Sequence, residues 1–247
     1  MLSIFSFFKG NKNSAPDIGY LQTDIHSHLI PNIDDGIQSI EEGISILREM
    51  ESLGYTKVIT SPHTMWGTYD NTAETILSGL KQMQEAILEE GINIELQAAS
   101  EYYLDEHFMQ RIHSDEELLT FGQNHILVET GFINEPPELK EASFHLTMKG
   151  YKMVYAHPER YLYLLEKPSL IEELLDRNII FQLNAVSLTG CYSKPVQKLA
   201  EKLIDMKAIK LVGTDCHNMG HINLLKEATT TKYWKKLLDL ELLNNQL

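Results

Sequence analysis

Residues Gln22–His28 read QTDIHSH, a short β-rich run that ends in two histidines separated by one serine. Side chains alternate between the two faces of a strand, so the imidazoles of His26 and His28 lie on the same side. The acidic pair Asp34-Asp35 follows in the same predicted loop, directly before Gly36. This first strand therefore delivers several ligand-type side chains to the place where it ends.

The rest of the chain alternates short strand-like runs with longer stretches of helical spacing. Such alternation with apolar strands indicates parallel β/α architecture. The strand-like runs begin about every 30 residues, which is the length of a βαβ unit. The predicted strands are Gln22–His26, Thr56–Ser61, Asn93–Ala98, His125–Glu129, Tyr151–Ala156, Ile179–Leu183 and Ala208–Gly213. The predicted helices are Ser39–Leu53, Thr72–Glu90, Pro137–Lys149, Ser169–Asn178 and Pro195–Met206, and the segment between the third and fourth strands is short and irregular.

Ligand-type side chains recur at the carboxyl ends of these predicted strands. Six of the seven strands end at or just before a His, Asp or Glu, and the sixth strand ends in Asn184. In a closed parallel barrel these ends meet at one rim, whereas an open doubly wound sheet spreads its edge strands away from a common centre. The alternation fits both folds, but the ring of ligands favours a (β/α)7 TIM-like barrel. The nine candidate metal ligands are His26, His28, Asp35, His63, Glu101, Glu129, His157, Asp215 and His217.

The joint pattern, rather than any single histidine, indicates a metal site. A lone histidine at a strand end is usually a surface or hydrogen-bonding residue. Imidazole and carboxylate ligands without thiolate suit Mn²⁺, Fe or Zn²⁺ in sites open to water. Nine ligands exceed what one ion needs, so we expect two or three ions that share bridging carboxylates. Five histidines lack this placement; four of them are predicted to be structural or solvated, with His221 left open, and the five are His107, His113, His125, His145 and His221.

The balance of charge excludes several classes of protein. Of 247 residues, 21 are Lys or Arg and 35 are Asp or Glu, which gives a formal net charge of −14. Such a chain is unsuited to nucleic acid, because phosphate affinity comes mostly from clustered Lys and Arg.

Two cysteines are too few for a secreted disulfide scaffold and predict a reducing, cytoplasmic location. They form no Cys-x5-Arg phosphatase loop either, since Gln197 and Ile222 stand six residues after Cys191 and Cys216.

The first eight residues, MLSIFSFF, are apolar and precede Lys9 and Lys12. A signal peptide has the opposite order, with its positive charge before the apolar run. We therefore predict that residues 1–20 form a flexible N-terminal extension and that residues 21–247 form a single domain. Weak contact of the extension with a membrane or a partner is the alternative. Stable membrane insertion is not expected, because no apolar run approaches the roughly 20 residues that a spanning helix needs.

Aromatic side chains lie close to two of the candidate ligands. Residues 63–71 read HTMWGTYDN, with Trp66 and Tyr69 just after one ligand, and Tyr102 and Tyr103 directly follow another. These side chains either form the wall of a slot for a phenyl ring or pack the mouth of the barrel, since aromatic residues are often buried. Both interpretations stay open. The first makes Trp66, Tyr69 and Tyr102 candidate substrate-binding residues.

Taken together, the motifs resemble the polymerase and histidinol phosphatase (PHP) superfamily. Within it they are similar to the bacterial manganese-dependent tyrosine-protein phosphatases of the CpsB and YwqE type. The resemblance extends over residues 21–218 and implies a distorted seven-unit β/α barrel with a trinuclear metal centre. The motifs are Asp24–His28 with Asp34-Asp35-Gly36, Ser61-Pro62-His63, Glu101-Tyr102-Tyr103, Ala156–Tyr161 and Asp215–Asn218.

The resemblance also implies a role for each matching residue. It groups His26, His28, Glu101 and Asp215 around one ion, His63, Glu101, Glu129 and His157 around a second, and Asp35 with His217 at a third. It makes Arg160 the catalytic arginine. For proton transfer to the leaving group, Asp35, His217 and a metal-bound water are alternative candidates, and the sequence does not choose among them. Family members commonly carry a second arginine after the Asp-x-His-Asn segment, but residues 218–222 here read NMGHI. Either His221 takes over this contact with phosphate or the contact is absent.

The resemblance implies that the substrate is phosphotyrosine in the tail of a bacterial tyrosine kinase that regulates capsular or exopolysaccharide biosynthesis. Mn²⁺ would be the cofactor, with Fe or Zn²⁺ as alternatives. Two other functions remain open at this stage. The chain could be a small-molecule phosphomonoesterase of the histidinol phosphatase kind, or a non-catalytic regulator that binds the kinase. The intact ligand set and Arg160 speak against the non-catalytic role.

Overall fold

Parallel strands form the centre of the structure, a computed structural model that describes residues 18–114 and 116–247. Nine strands lie in these ranges, and each ladder between them is parallel. The predicted mixed α/β fold with parallel strands is therefore confirmed. The strands are β1 (Thr23–Asp24), β2 (Lys57–Thr60), β3 (His63–Thr64), β4 (Glu95–Ala98), β5 (Glu101–Tyr103), β6 (His125–Glu129), β7 (Lys152–Ala156), β8 (Ile180–Asn184) and β9 (Ile209–Gly213).

Two passes of the chain through the sheet are each broken into two strands. Ser61-Pro62 separates β2 from β3, and Ala99-Ser100 separates β4 from β5. Proline has no N–H to donate to a ladder, so the pairing of β2 ends before it. One sheet has the order β1-β2-β4, and the other has the order β3-β5-β6-β7-β8-β9. Backbone hydrogen bonds from Ala99 to Thr60 and from Glu101 to Pro62 keep the two passes side by side across the breaks.

The first strand and the segment after the last strand are neighbours. Ser27 and Cys216 form a parallel bridge, in which Asp215 N donates to His26 O at 2.8 Å and His28 N donates to Cys216 O at 2.9 Å. A few residues before this bridge, the Asp24 carboxylate accepts hydrogen bonds from both the backbone N–H and the hydroxyl of Thr214. The two ends of the strand series are thereby joined at the level of the candidate ligands.

A side chain near the C-terminus also joins β1 to β9, a few residues before the Ser27–Cys216 bridge. Asn244 lies in a short 3-10 turn, Asn244–Gln246, and is buried. Its amide oxygen accepts from Val212 N at 3.0 Å, and its amide nitrogen donates to Thr23 O at 2.9 Å and to Val212 O at 2.7 Å. One amide group therefore connects β1 to β9 without a backbone ladder.

The helices lie between successive strands and after β9. All five predicted helices are found, with shifts of a few residues at their ends. Ser39 caps α1 by accepting from Glu42 N, and Gly54 ends it in the left-handed conformation at a φ of 107°, as its position after the helix predicts. The helices are α1 (Ile40–Leu53), α2 (Ala73–Glu89), α3 (Glu106–His113), α4 (Leu139–Met148), α5 (Leu162–Glu166), α6 (Pro168–Asp176), α7 (Lys194–Asp205), α8 (Met219–Ala228) and α9 (Lys232–Leu238).

Two apolar clusters hold the strands and helices together. The smaller cluster lies among the strands and contains Ile25, Ile59, Ala99, Phe121, Leu127, Val154, Ala156 and Leu211, with Leu243 and Leu247 packed against it. The larger cluster lies between the strands and the surrounding helices.

None of the helices in the described ranges is long and apolar enough to span a bilayer. Of the predicted N-terminal extension, residues 1–17 lie outside the described residues, whereas Ile18 is buried in the larger cluster.

Replacing Asn244 by alanine is expected to lower the free energy of unfolding by about 3 kcal/mol. The change removes three hydrogen bonds and leaves polar backbone groups of Thr23 and Val212 without this partner in a buried place. Gln246→Ala in the same turn is the control, because Gln246 is exposed, and it should change stability by less than about 0.5 kcal/mol. Urea unfolding of both variants measures the difference. Equal stability of the two variants would show that Asn244 does not tie the strands together.

Candidate metal centre

The nine predicted ligand residues converge where the strands end. His26 and His28 follow β1, His63 opens β3, Glu101 opens β5, Glu129 ends β6, His157 follows β7, Asp215 and His217 follow β9, and Asp35 lies between β1 and α1. Three overlapping groups have their ligand atoms within 4.8 Å of one another. The groups are His28, Asp35, His63 and His217; His26, His28 and Glu101; and His63, Glu101 and Glu129. His157 and Asp215 join these groups through the contacts described next.

The carboxylate of Glu101 lies at the middle of the cluster and is fully buried. Its Oε2 atom is 3.1 Å from both His26 Nε2 and His63 Nδ1, and 3.6 Å from His28 Nε2. Its Oε1 atom is 3.1 Å from His157 Nε2. Four imidazoles from three places in the strand series, after β1, at β3 and after β7, thus share a single carboxylate, which is the arrangement expected of a bridging ligand.

Two further carboxylates lie on the other side of the histidines. Asp215 Oδ1 is 3.5 Å from His26 Nε2 and 3.4 Å from His28 Nε2. Asp35 Oδ1 is 3.5 Å from His63 Nε2 and 3.4 Å from His217 Nε2. The Asp35 side chain is 54% exposed, so it marks the open side of the cluster.

Two of the ligands have unusual backbone conformations. His157 has a φ of 33° and Asp215 a φ of 50°, both in the left-handed region that costs energy for residues other than glycine. His157 directly follows the last residue of β7, and Asp215 is the second residue after β9. The left-handed turn aims both side chains inward, so the strain coincides with the candidate site.

Two polar side chains outside the nine predicted ligands orient the histidines. His26 Nδ1 is 2.9 Å from Gln182 Oε1, and His28 Nδ1 is 2.7 Å from Asp34 Oδ2. Asp34 also accepts from the backbone N–H of Gly36 and of His63. Hydrogen bonds of this kind fix the tautomer of a metal-binding histidine and leave its other nitrogen free for the ion. Asp34 is therefore an orienting residue, and its neighbour Asp35 faces the site.

Burial and neighbouring charges shift the pKa values in opposite directions within the cluster. Burial opposes ionisation of Glu101, yet the imidazoles of His26 and His63 hold the pKa of its carboxyl well below its usual range. Burial also opposes protonation of His26, but Glu101 and Asp215 outweigh it and raise the pKa of His26 to about 9. For Glu129, burial and the charge of Glu101 raise the pKa of the carboxyl well above its usual range. Glu101 and Glu129 have ligand atoms within 4.8 Å of each other, and two buried carboxylates at this separation can both ionise when a cation lies between them.

A cleft of about 500 Å³ opens above the cluster. Its floor contains the ligands Asp35, His63, Glu129, His157, Asp215 and His217. Its walls contain Met65, Tyr69, Tyr103, Phe132, Arg160, Tyr192 and His221. No cysteine lines this cleft among the described residues, and burial raises the pKa of the Cys216 thiol well above its usual range.

Arg160 is held at the wall of the cleft by three neighbours. Its guanidinium carbon lies 4.5 Å from the ring centres of both Phe132 and Tyr192, and its Nη1 donates to Asp215 Oδ2 at 3.0 Å. The adjacent Glu159 is not its ion-pair partner, because the Glu159 carboxylate accepts from Ser187 Oγ and from a backbone N–H. The two ring contacts and the ion pair together fix the guanidinium at the wall of the cleft.

The predicted aromatic residues divide between two pockets. Tyr69 and Tyr103 line the cleft. Tyr102 points to the opposite face of β5, because side chains alternate along a strand, and its hydroxyl accepts from Leu119 N. Trp66 is 65% exposed and stacks on His107 at 4.0 Å. Trp66 and Tyr102 both line a separate pocket of about 150 Å³ on the other side of residues 63–71.

His221 lies at the wall of the cleft, where the sequence left its role open. Its Nδ1 is 2.7 Å from the backbone oxygen of Asp215 and 3.2 Å from His217 N. These contacts fix the ring beside two candidate ligands. Asn184 also reaches this region, since its amide nitrogen donates to Asp215 Oδ2 at 2.9 Å and to the Tyr192 hydroxyl at 3.1 Å.

Known proteins share both the sequence and the fold of this chain. YwqE of Bacillus subtilis, a tyrosine-protein phosphatase, is 28% identical over 196 residues, which cover 79% of this chain and 77% of that protein. CpsB of Streptococcus pneumoniae, also a tyrosine-protein phosphatase, is 24% identical over 201 residues, which cover 79% of this chain and 83% of that protein.

Solved structures agree with these relatives. A structure from work on YwqE of B. subtilis and CpsB of S. pneumoniae, described as unique metal-dependent tyrosine phosphatases, has a TM-score of 0.80 and 25% identity over 91% of this chain and 94% of that chain. Histidinol phosphate phosphatase of Lactococcus lactis shares the fold, with a TM-score of 0.50 and 14% identity over 84% of this chain and 92% of that chain. The resemblance inferred from the sequence motifs is confirmed.

A family model described as "Capsular polysaccharide synthesis, CpsB/CapC" matches residues 22–238, which include all nine ligand residues and Arg160. The chain therefore belongs to the CpsB/CapC family of capsular polysaccharide synthesis.

Proposed function

We propose that this protein is a metal-dependent phosphoric monoester hydrolase that acts on phosphotyrosine in proteins. The observation that carries the proposal is the cluster of nine ligand residues beneath a cleft whose wall holds Arg160. The metal-dependent tyrosine phosphatases among its relatives support the same reaction. The proposed substrate is the phosphorylated tail of a bacterial tyrosine kinase that regulates capsular or exopolysaccharide biosynthesis, in the cytoplasm.

The donor set fits divalent metal ions. Within the described ranges, His63 Nδ1 is buried and makes no hydrogen bond, although it lies 3.1 Å from Glu101 Oε2. A nitrogen and a carboxylate oxygen that close, without hydrogen-bond geometry, are suited to share one ion. We assign one ion to His26, His28, Glu101 and Asp215, a second to His63, Glu101, Glu129 and His157, and a third to Asp35 and His217. Mn²⁺ is the proposed metal, with Fe and Zn²⁺ as alternatives.

The residues around the cleft have separate proposed roles in the reaction. Bound metal ions supply a water molecule of lowered pKa and neutralise phosphate charge. Arg160 binds the phosphate oxygens with the N–H groups that Asp215 does not occupy, and its planar guanidinium stays charged throughout. Charge spreads over these oxygens as phosphoryl transfer proceeds, so the arginine binds the transition state more tightly than the substrate.

The remaining walls of the cleft suit a tyrosyl group. Tyr69, Tyr103 and Phe132 present aromatic surface on which a phenyl ring can stack. Asp35 and His217 lie at the open side, where the phenolic oxygen leaves. The hydrogen bond from His217 lowers the pKa of Asp35 to about 2, so Asp35 stays ionised and orients the imidazole beside it. We propose that, with the third ion held by this pair, a water molecule bound there would supply the proton to the phenolate leaving group.

We also propose that the strand series closes into a distorted (β/α)7 barrel and that residues 21–247 form one domain. The buried side chain of Ile18 belongs to that domain rather than to the predicted extension. The neighbouring positions of β1 and the segment after β9 support the closure. The buried Asn244 amide, which joins Thr23 of β1 to Val212 of β9, supports it as well. A closed series explains why all nine ligand residues reach one cluster.

Removal of metal with excess EDTA is expected to abolish hydrolysis of a phosphotyrosine peptide, and added Mn²⁺ to restore it. The physical reason is that the described lining of the cleft offers no thiol nucleophile. Activity is measured by phosphate release, with bound metal determined in the same samples. Full activity in protein shown to be metal-free would overturn the mechanism.

A parallel assay with histidinol phosphate identifies the substrate class. Turnover of this small molecule without turnover of the peptide would replace the proposed function by a small-molecule phosphatase. Turnover of neither substrate by the Mn²⁺-loaded protein would favour a non-catalytic regulator.

Arg160→Ala is expected to lower kcat by ~10²–10³-fold while the bound metal per chain stays close to that of the wild type. The arginine meets the phosphate from the wall of the cleft, and it is not among the ligands. His157→Ala should lose both metal and activity. Arg177→Ala is the control, because Arg177 lies at the exposed end of α6 and should keep wild-type kinetics. If Arg160→Ala kept wild-type kinetics, phosphate binding would have to be assigned to other groups.

A further inference from the structure

Helices α3 and α4 bring three metal-ligand side chains together away from the cleft. His113 is the last residue of α3, and Glu141 and His145 lie one turn apart on α4. Residues four apart on a helix share a face, so the carboxylate and the imidazole of α4 both point toward the end of α3. None of the three residues lines the cleft.

The two imidazoles converge on one oxygen atom. His113 Nε2 is 3.7 Å and His145 Nε2 is 3.8 Å from Glu141 Oε1. The two rings lie edge to face with their centres 4.5 Å apart, and the three ligand atoms are within 4.8 Å of one another. These separations are too long for hydrogen bonds. Ligand atoms about 2.0–2.2 Å from a tetrahedral zinc ion are separated by roughly 3.3–3.6 Å, so small rotations about the side-chain bonds would complete such a site.

Ion pairing alone does not account for this convergence. All three side chains are partly exposed, and exposed ion pairs contribute little to stability. Across residues 18–114 and 116–247, the ion pairs of Glu141 are with these two histidines and with no Lys or Arg. A carboxylate with two imidazoles and no competing cation is the donor set of a three-ligand zinc site, in which water takes the fourth position.

We propose that His113, Glu141 and His145 form a second metal site, on the surface, that binds one divalent ion. Zn²⁺ is the proposed ion. Two imidazoles and one carboxylate favour Zn²⁺ over Mg²⁺ or Ca²⁺, which prefer oxygen ligands. The bound ion connects the C-terminal end of α3 to α4. The site replaces the sequence-based expectation that His113 and His145 are merely structural or solvated, and it does not depend on the phosphatase function.

The test counts zinc ions per chain at equilibrium, in the wild type and in three variants of the full-length protein. Zn²⁺ also enters the cleft, but that contribution is common to all four proteins. His145→Ala and Glu141→Gln are each expected to bind one Zn²⁺ fewer than the wild type. Glu138→Gln removes the same charge from the start of the same helix and lies outside the cluster, so it should bind as many ions as the wild type.

Two outcomes would overturn the proposal. If the wild type and His145→Ala hold the same number of zinc ions, there is no surface site. If Glu138→Gln loses as much zinc as Glu141→Gln, the binding reflects general acidity of the surface. Circular dichroism verifies that each variant is folded, and the thermal midpoint gives an independent measure, since Zn²⁺ should raise Tm more in the wild type than in His145→Ala. Phosphotyrosine hydrolysis by the Mn²⁺-loaded variants should match the wild type, which separates this test from that of the proposed function.

Discussion

The buried carboxylate of Glu101 is the constraint on which the rest of the structure depends. An ionised carboxylate in a water-free interior is strongly unfavourable unless charges or hydrogen bonds compensate it. Here the compensation comes from hydrogen bonds with His26 and His157, each with a ring nitrogen 3.1 Å away, and from the charge of His26, while His63 Nδ1 lies equally close without a hydrogen bond. These histidines lie at or next to the ends of different strands, so the position of each strand is coupled to one central charge.

The scaffold meets that constraint by bringing the first and last strands together. The β1 end supplies His26 and the segment after β9 supplies Asp215, and both reach the cluster because the two segments are hydrogen-bonded neighbours. Close approach needs a residue without a side chain at the end of β9. A Cβ atom at Gly213 would lie 2.6 Å from His26 Cβ and 2.7 Å from Gln182 Nε2. The glycine thus allows the contact that orients His26 toward Glu101.

The sequence predicts those parts of the site that follow from local pattern. Strand–helix alternation and the period-2 spacing of His26 and His28 are local, and they were sufficient to select the nine candidate ligand residues that the fold brings together. The residues that the sequence missed act through contacts between distant segments. Phe132 and Tyr192 are 60 positions apart and meet at Arg160, and Gln182 orients a histidine 156 positions away. The helices α3, α8 and α9 were also missed, and two of them, α3 and α9, are only eight and seven residues long.

Charge links metal binding to substrate binding in this cleft. A phosphate ester is an anion, whereas the chain has a formal net charge of −14 and the floor of the cleft carries several carboxylates. Among the described lining residues, Arg160 is the sole Lys or Arg, and Asp215 already neutralises part of its charge. One guanidinium cannot offset that many carboxylates at short range. Attraction for phosphate therefore has to come from cations held by the same carboxylates, so the acidic ligands that repel the substrate in isolation are the ones that make its binding favourable once they hold metal.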